Sequence, residues 1–312
     1  MAEALKAAPR AEGPAGPAGG SDGVDREDRL SDQDVKLMRQ IVIGLVPDAN
    51  VITHLAVGQR VCPGSRAEAF LSDSVNVPTS TGTSHLQSAH LAMAFYCFAA
   101  LDHMRSFSML LPKDGPVMSL ATLTRGAVEA FGKAHYLLHA SSPSELLRRH
   151  LNLGISEFST STKHNEFTLF NGEQINGSAY IDGLKEVLAT KGLKAENVRV
   201  TSLASTVLSD SAPGAPGRTF YSQLSGVAHG ETAGVTMFLG KDIEAGIGFV
   251  RRREVILPYA GMLFATCRLV LNQIITHFAV EEEYRNRWVA VVERAEPWID
   301  SLRSTDPSSE TQ

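Results

Sequence analysis

The stretch MSLATLTRGAVEAFGKAHYLL, residues 118–138, decides the fold of this 312-residue chain. Its apolar side chains recur every three or four positions, which is the period of a helix that buries one face. Pro116 suits the beginning of that helix, and the Ser-Ser-Pro sequence at 141–143 ends it. The stretch therefore predicts a core helix. The apolar positions that set its period are Leu120, Leu123, Val128, Phe131 and Leu137.

Similar helical patterns lie on both sides of this stretch. One runs from Ser84 to Leu111, where Pro112 ends it. The short segment 113–116 then joins it to the central helix, which predicts two antiparallel helices, an αα-hairpin. Further helices are predicted from Ser31 to Pro47 and over residues 144–162, 178–191, 253–280 and 281–302.

The predicted fold class is mainly α, a multi-helix bundle with a small β-hairpin near residues 235–250. Two β-favouring runs flank a Gly-containing segment there, which is typical of a hairpin. A single helical domain is predicted over residues 31–302. Residues 1–30, which are rich in Ala, Gly and Pro, and residues 303–312, which are polar, are predicted to be disordered tails.

Composition narrows the class of protein further. The apolar content of 43% can form a large core, and the net charge of −5 gives no overall attraction for nucleic acid. Cys62, Cys97 and Cys267 are widely spaced and odd in number, which disfavours a disulfide framework and favours a cytoplasmic location. Residues 255–278 are long enough to span a membrane, but they contain Pro258 and Arg268 and are interpreted as a core helix. No membrane partner is therefore predicted.

Two residues of opposite charge lie in the middle of the apolar stretch. Arg125 and Glu129 lie one helical turn apart, so they share one face and can pair with each other. A buried face does not carry two charges without a partner or a function. Arg125 could hold an anionic group while Glu129 orients it or acts as a base. The alternative is a structural ion pair that joins helices, and both hypotheses stay open.

A second polar group lies about ninety residues later in the chain. Tyr221, Ser225 and His229 offer two hydroxyls and an imidazole, with Ser225 and His229 one turn apart if the segment is helical. Asp102 and His103 come late in the preceding helix, so the αα-hairpin is expected to bring them near Arg125. Arg148 and Arg149 are adjacent in the third helix, and Arg148 is assigned to the same site as a further cation, with solvation of one of the two as the alternative.

Other catalytic classes lack their motifs. No GxSxG elbow or acidic partner completes a hydrolase triad with Ser225 and His229. None of the ten histidines follows a Glu at the Glu-x-x-His spacing of di-iron helical bundles, and no phosphate-binding or dinucleotide fingerprint is present. No metal site and no cofactor are predicted.

The motifs also carry a resemblance. The segments LDHMR (101–105), LTRGAVEA (123–130) and YSQLSGVAHG (221–230) together resemble a group of actinobacterial helical proteins of unknown function. These share the order Asp-His, Arg-x3-Glu, Tyr-x2-Leu-Ser-x3-His, and the resemblance implies an all-α fold. A more distant similarity is to HEPN-like domains of toxin and phage-defence systems, many of which are metal-independent RNases. This chain lacks that family's Arg-x4-6-His motif.

These patterns lead to one functional hypothesis and one rival. The first is a polar pocket that binds an anionic small molecule or an RNA phosphate. In its catalytic form His229 is the general acid or base, Arg125 stabilises negative charge, and Glu129 orients Arg125. Asp102, His103, Arg148, Tyr221 and Ser225 are the expected binding residues. The rival is a non-enzymatic interaction protein, including a homo-oligomer, in which the same polar residues are architectural.

Overall fold

The structure is a computed structural model that describes residues 29–304, apart from 59–60, 80–82, 114–116, 162–164, 169–171, 173, 213, 215 and 243–245. Most of the predicted tails, and the predicted turn at 113–116 apart from its first residue, therefore lie outside the described residues. The folded body begins slightly earlier than predicted. The Leu30 side chain is buried, and its N–H donates to the carbonyl oxygen of Arg251 at 2.9 Å.

The described residues are mainly helical, as predicted. Their eleven helices are α1 (Asp32–Gly58), α2 (Arg66–Leu71), α3 (His85–Leu110), α4 (Val117–Leu138), α5 (Pro143–Ser161), α6 (Gly177–Thr190), α7 (Val200–Ser211), α8 (Gly217–Ala228), α9 (Thr232–Thr236), α10 (Arg253–Phe278) and α11 (Glu282–Ser304). The strands form two antiparallel pairs, β1 (Glu166–Thr168) with β2 (Gln174–Asn176) and β3 (Leu239–Asp242) with β4 (Gly246–Phe249).

Helix α4 lies at the centre of the bundle. It packs against α3, α7, α8 and α10. Of the five apolar positions that define its period, all are buried except Leu123, which is half-buried. This confirms the core helix predicted from residues 118–138. Removing such a continuous apolar stripe from water is the main stabilising contribution of the helix.

Local sequence signals set several helix ends. The Ser84 hydroxyl accepts from the Gln87 N–H at 3.2 Å and begins α3 as predicted. Ser31 and Asp34 form a reciprocal capping arrangement at α1, with the Asp34 N–H donating to the Ser31 hydroxyl oxygen at 3.1 Å. Gly192 follows α6 at φ 64°, a conformation that glycine adopts without strain.

Three predictions of secondary structure are corrected. Helix α1 does not end at Pro47 but continues to Gly58, because Pro47 faces solvent while the next turn buries Ala49 and Ile52. Helices α2, α7, α8 and α9 and the first strand pair were not predicted. The second hairpin is present, but its first strand begins at Leu239, because residues 232–236 form α9.

Two glycines bring α7 unusually close to its neighbours. A Cβ atom at Gly132 of α4 would lie 2.9 Å from the backbone carbon of Leu203, so α4 and α7 touch through their backbones. A Cβ atom at Gly217 of α8 would lie 2.4 Å from the backbone oxygen of Ser205. Only glycine permits these approaches. They fix α7 between α4 and α8, the two helices that carry the polar residues of interest.

Helices α1 and α10 are each long and apolar enough to cross a membrane by length and composition. Both pack against each other, and α10 also packs against α4 and α7. The core helix predicted over residues 253–280 is confirmed as α10. A buried core helix meets the same criterion as a membrane span, so the arrangement is compatible with a soluble protein.

Candidate functional site

Four of the predicted site residues are in contact. Arg125 Nε donates to Glu129 Oε1 at 2.7 Å, and Arg125 Nη1 lies 2.8 Å from His229 Nε2. The Tyr221 hydroxyl donates to the same Glu129 oxygen at 2.6 Å. The Arg125 guanidinium carbon also lies 5.8 Å from the centre of the Tyr221 ring. These four residues are called the Arg125 cluster.

The cluster joins two helices that are distant in sequence. Arg125 and Glu129 are on α4, Tyr221 is on α8, and His229 follows the last residue of α8. The His229 N–H donates to the Ser225 carbonyl oxygen at 2.9 Å, and Gly230 at φ 68° then turns the chain. The imidazole is therefore held at the end of α8, where it is exposed, next to a guanidinium that is 21% exposed.

Electrostatics fix the charge of the guanidinium. Partial burial would lower the pKa of Arg125, but the hydrogen bond and charge of Glu129 outweigh it and raise the pKa above its ordinary value. Burial, followed by the hydrogen bond and the charge of Glu129, raises the pKa of Tyr221 to about 12. Tyr221 thus stays a neutral hydroxyl donor, and Arg125 stays a cation.

The contact between Arg125 and His229 also determines which atom is the acceptor. A guanidinium has only donors, so His229 Nε2 must be the acceptor in this hydrogen bond and carries no hydrogen there. An imidazole in that state is neutral. The Nε2 lone pair of His229 is therefore directed at the Arg125 guanidinium.

The other predicted residues of the site differ in their placement. The His103 ring lies against α4, because a Cβ atom at Gly126 would be 2.7 Å from His103 Nε2. Asp102 is exposed, and no hydrogen bond joins it to the Arg125 cluster within the described part of the chain. The Ser225 hydroxyl likewise makes no hydrogen bond to the His229 ring among the described residues; the bond between these two residues is a backbone one.

Arg148 lies in a different group of charges, which corrects its assignment to the site. Its guanidinium pairs with Glu196 and, at 3.8 Å, with Glu145. Burial would raise the pKa of Glu145, but hydrogen bonds from Ser141 and the Arg149 guanidinium lower it to about 2. Arg148 therefore has its own carboxylate partners and does not contribute to the Arg125 cluster.

One polar group of the structure was not predicted from the sequence. His135 and His139, on the central stretch, meet Asp210 of α7 and Gln273 of α10. The His-x3-His spacing was a visible signal, because residues four apart share a helix face. Asp210 could not be found as their partner, because α7 was not predicted.

Two clefts lie away from the Arg125 cluster. One, of about 380 Å³, is lined by residues of α8, the segment after it and α10, including Gln223, Arg252 and Tyr259. The other, of about 220 Å³, lies beside the end of α10. Neither lining includes Arg125, Glu129 or His229. Arg125 is partly exposed and His229 is exposed, so a ligand can reach the Arg125 cluster from solvent.

Comparison of the chain with protein-family models, with curated proteins and with solved structures yields no match. The site is therefore interpreted from its own chemistry. That chemistry combines a cation, a carboxylate that orients it, and an exposed imidazole whose Nε2 accepts a hydrogen bond from the cation.

Proposed function

We propose that Arg125 and His229 bind a phosphate group, carried by a nucleotide or by RNA, and that Glu129 and Tyr221 hold the guanidinium in place. The observation that carries this proposal is the 2.8 Å contact between Arg125 and an exposed His229. Glu129 already supplies Arg125 with a charged partner, so His229 is not needed to neutralise it. A guanidinium and an imidazole, which can both bind an oxyanion, therefore meet at the protein surface.

The chemistry of the pair suits phosphate. A guanidinium carries five N–H donors in one plane, and the two observed hydrogen bonds engage two of them. A phosphate oxygen that replaces the contact between Arg125 and His229 would accept from both side chains once His229 is protonated. Because Glu129 offsets part of the positive charge, we expect moderate affinity that falls with salt.

The catalytic form of the proposal is metal-independent phosphodiester cleavage. His229 would transfer the proton as general acid or base, and Arg125 would stabilise charge that develops on the phosphate. Glu129 would position Arg125. The distant HEPN-like similarity, which lacks that family's Arg-x4-6-His motif, is the reason for testing RNA as a substrate class, and a cytoplasmic location would give access to RNA and nucleotides.

The rival function is an interaction protein in which the cluster is architectural. The observation that favours it is the 2.6 Å hydrogen bond from the buried Tyr221 to Glu129, which ties α8 to α4. Under this alternative, the ion pair and the hydroxyl only fix the crossing of two helices.

Substitution of Arg125 by alanine is expected to weaken binding of AMP and of a single-stranded RNA oligonucleotide by about 10- to 100-fold. Loss of charge-assisted hydrogen bonds of about 1.5–3 kcal/mol gives that range. Calorimetry for AMP and fluorescence anisotropy for RNA measure the change, and adenosine, which lacks phosphate, is expected not to bind. Comparing AMP with RNA distinguishes a nucleotide site from an RNA site.

Arg148→Ala is the matched control, because this arginine is 23% exposed and paired with carboxylates, yet lies outside the cluster. It is expected to bind as the wild type does. Tyr221→Phe tests the rival function, because it removes only the hydroxyl that ties α8 to α4. It is expected to lower the free energy of unfolding by about 1 kcal/mol. Wild-type binding by a folded Arg125→Ala variant would contradict the phosphate site and favour the architectural alternative.

A further inference from the structure

We propose that His135, His139 and Asp210 form a binding site for a divalent first-row transition metal ion, with zinc as the reference ion. One ligand atom from each residue lies within 4.8 Å of the others. His135 lies in the last turn of α4, His139 directly follows that helix, and Asp210 comes from α7. This site is separate from the Arg125 cluster and does not depend on the phosphate proposal.

The central residue of the group is already oriented. His135 is almost fully buried, with its side chain 3% exposed, and both ring nitrogens have partners. Nδ1 lies 2.9 Å from Gln273 Oε1, and Nε2 lies 2.9 Å from Asp210 Oδ2. Because an amide oxygen only accepts, Nδ1 carries a hydrogen and Nε2 is directed at the carboxylate. An outer hydrogen bond of this kind is what fixes the tautomer and direction of a metal-binding histidine.

The other two residues supply access for an ion. Asp210 is 45% exposed, and His139 is exposed just after the last residue of α4. The contact between Gln273 Nε2 and His139 Nδ1 is 3.4 Å long, so it is weak. An ion can reach the group from solvent while His135 stays anchored in the core.

Coordination requires small shifts within the group: His139 moves inward, while His135 Nε2 and Asp210 Oδ2 move slightly apart. With bonds of about 2.0–2.2 Å to nitrogen and oxygen, ligand atoms around a tetrahedral ion lie roughly 3.4 Å apart. His135 Nε2 and Asp210 Oδ2 are already closer than that, at 2.9 Å. The ion takes the place of the hydrogen between these two atoms, which leaves as a proton. His139 moves toward them, and water takes the remaining position.

The donor set selects the class of metal. Two imidazole nitrogens and one carboxylate oxygen suit zinc and its neighbours in the first transition row, whereas calcium and magnesium prefer oxygen ligands throughout. Three protein ligands with one open position are typical of sites where a bound water or substrate can react. The Arg66 and Arg149 side chains donate hydrogen bonds to backbone oxygens near this site, and their positive charge reduces its affinity for a metal ion.

The position of the group along α4 keeps the two sites apart. His135 comes six residues after Glu129, a rise of roughly 9 Å along the helix axis. Substitutions in one site therefore leave the residues of the other unchanged. This separation makes independent tests possible.

Titration of the metal-free full-length protein with zinc, followed by calorimetry, and with cobalt, followed by its visible absorption, tests the proposal. We expect one ion per chain and a raised thermal midpoint, because the ion binds the folded protein. His139→Ala and Asp210→Asn alter exposed side chains and should fold. Each is expected to weaken binding at least about tenfold, since loss of even an outer-shell partner costs 10- to 100-fold.

His103→Ala and Arg125→Ala serve as controls, and both are expected to bind the ion as the wild type does. Absence of a one-to-one complex would overturn the proposal. So would one-to-one binding that is unchanged in both His139→Ala and Asp210→Asn, because the ion would then lie elsewhere. Failure of the phosphate proposal would appear only in the AMP and RNA measurements.

Discussion

Acidification from pH 7 to pH 4.5 is expected to destabilise this protein strongly, because burial lowers the pKa of several histidines, two of which are in contact. His90 on α3 and His277 on α10 are only 6% and 4% exposed. Their Nε2 atoms lie 3.1 Å apart, and both Nδ1 atoms are buried without a hydrogen-bond partner in the described part of the chain. Aromatic rings of Phe70 and Phe278 pack around them.

The direction of the pH effect follows from the pKa values. Burial lowers the pKa of His90 to about 4, and burial together with the charges of His90 and Arg66 lowers that of His277 to about 3. In the unfolded chain both titrate near 6.5. The unfolded state therefore binds more protons below that value, so stability is complete above pH 6.5 and falls toward pH 4.

The size of the effect is large compared with the stability of a domain. At pH 5 each of these two rings lowers the free energy of unfolding by about 2 kcal/mol, since each pH unit below 6.5 contributes about 1.36 kcal/mol. Two rings cost about 4 kcal/mol, against a total stability of about 5–15 kcal/mol. Circular dichroism against pH measures the midpoint.

The double variant His90→Leu with His277→Leu removes the two rings that contact each other and keeps the site apolar, while His85 and His150 remain. It is expected to lower the acid midpoint relative to wild type. His54→Leu, at an exposed position, is the control and should leave the midpoint where it is. An acid midpoint that is the same in the double variant and in wild type would show that other groups control acid unfolding.

Replacement of Gly132 by alanine is expected to destabilise the fold by about 1–3 kcal/mol, which is the usual cost of overpacking. The added Cβ would lie 2.9–3.0 Å from the backbone of Leu203 and Ala204. Backbone atoms cannot move aside as a flexible side chain can, so α4 and α7 must separate. Chemical denaturation measures the loss.

Gly261→Ala is the matched control, because this glycine lies inside α10 with no atom within 4 Å of an added Cβ. It is expected to stabilise the protein by about 0.5–1 kcal/mol, the difference in helix propensity. The two glycine-to-alanine changes thus have opposite expected signs. If Gly132→Ala were as stable as Gly261→Ala, the close crossing of α4 and α7 would be wrong.

Strong local signals allowed much of the fold to be predicted. Ser84 and Pro112 bracket α3, and the apolar period of residues 118–138 defines α4. Helix α7 was missed because its sequence, VTSLASTVLSDS, is rich in Thr, Ser and Val, which have modest helix propensity. Packing against Gly132 and Gly217 stabilises it instead. The spacing of Leu203, Ala204, Val207 and Leu208 was the signal that could have found it.

The candidate site was predictable only in part. The pairing of Arg125 with Glu129 follows from their i,i+4 spacing. The contact with His229, 104 residues away, depends on how α8 crosses α4 and could only be a hypothesis. Arg148 was misassigned because its partner Glu196 lies in a loop with no recognisable pattern. Local periodicity does not contain tertiary pairings of this kind.

The most direct measurement of the central claim is a nuclear magnetic resonance titration with AMP, using protein labelled with nitrogen-15 in arginine and histidine. The phosphate site predicts that the Arg125 Nε–H and His229 ring signals shift along one saturating curve, while the Arg148 Nε–H signal stays in place. Saturating binding of AMP that leaves the Arg125 and His229 signals unmoved would contradict it.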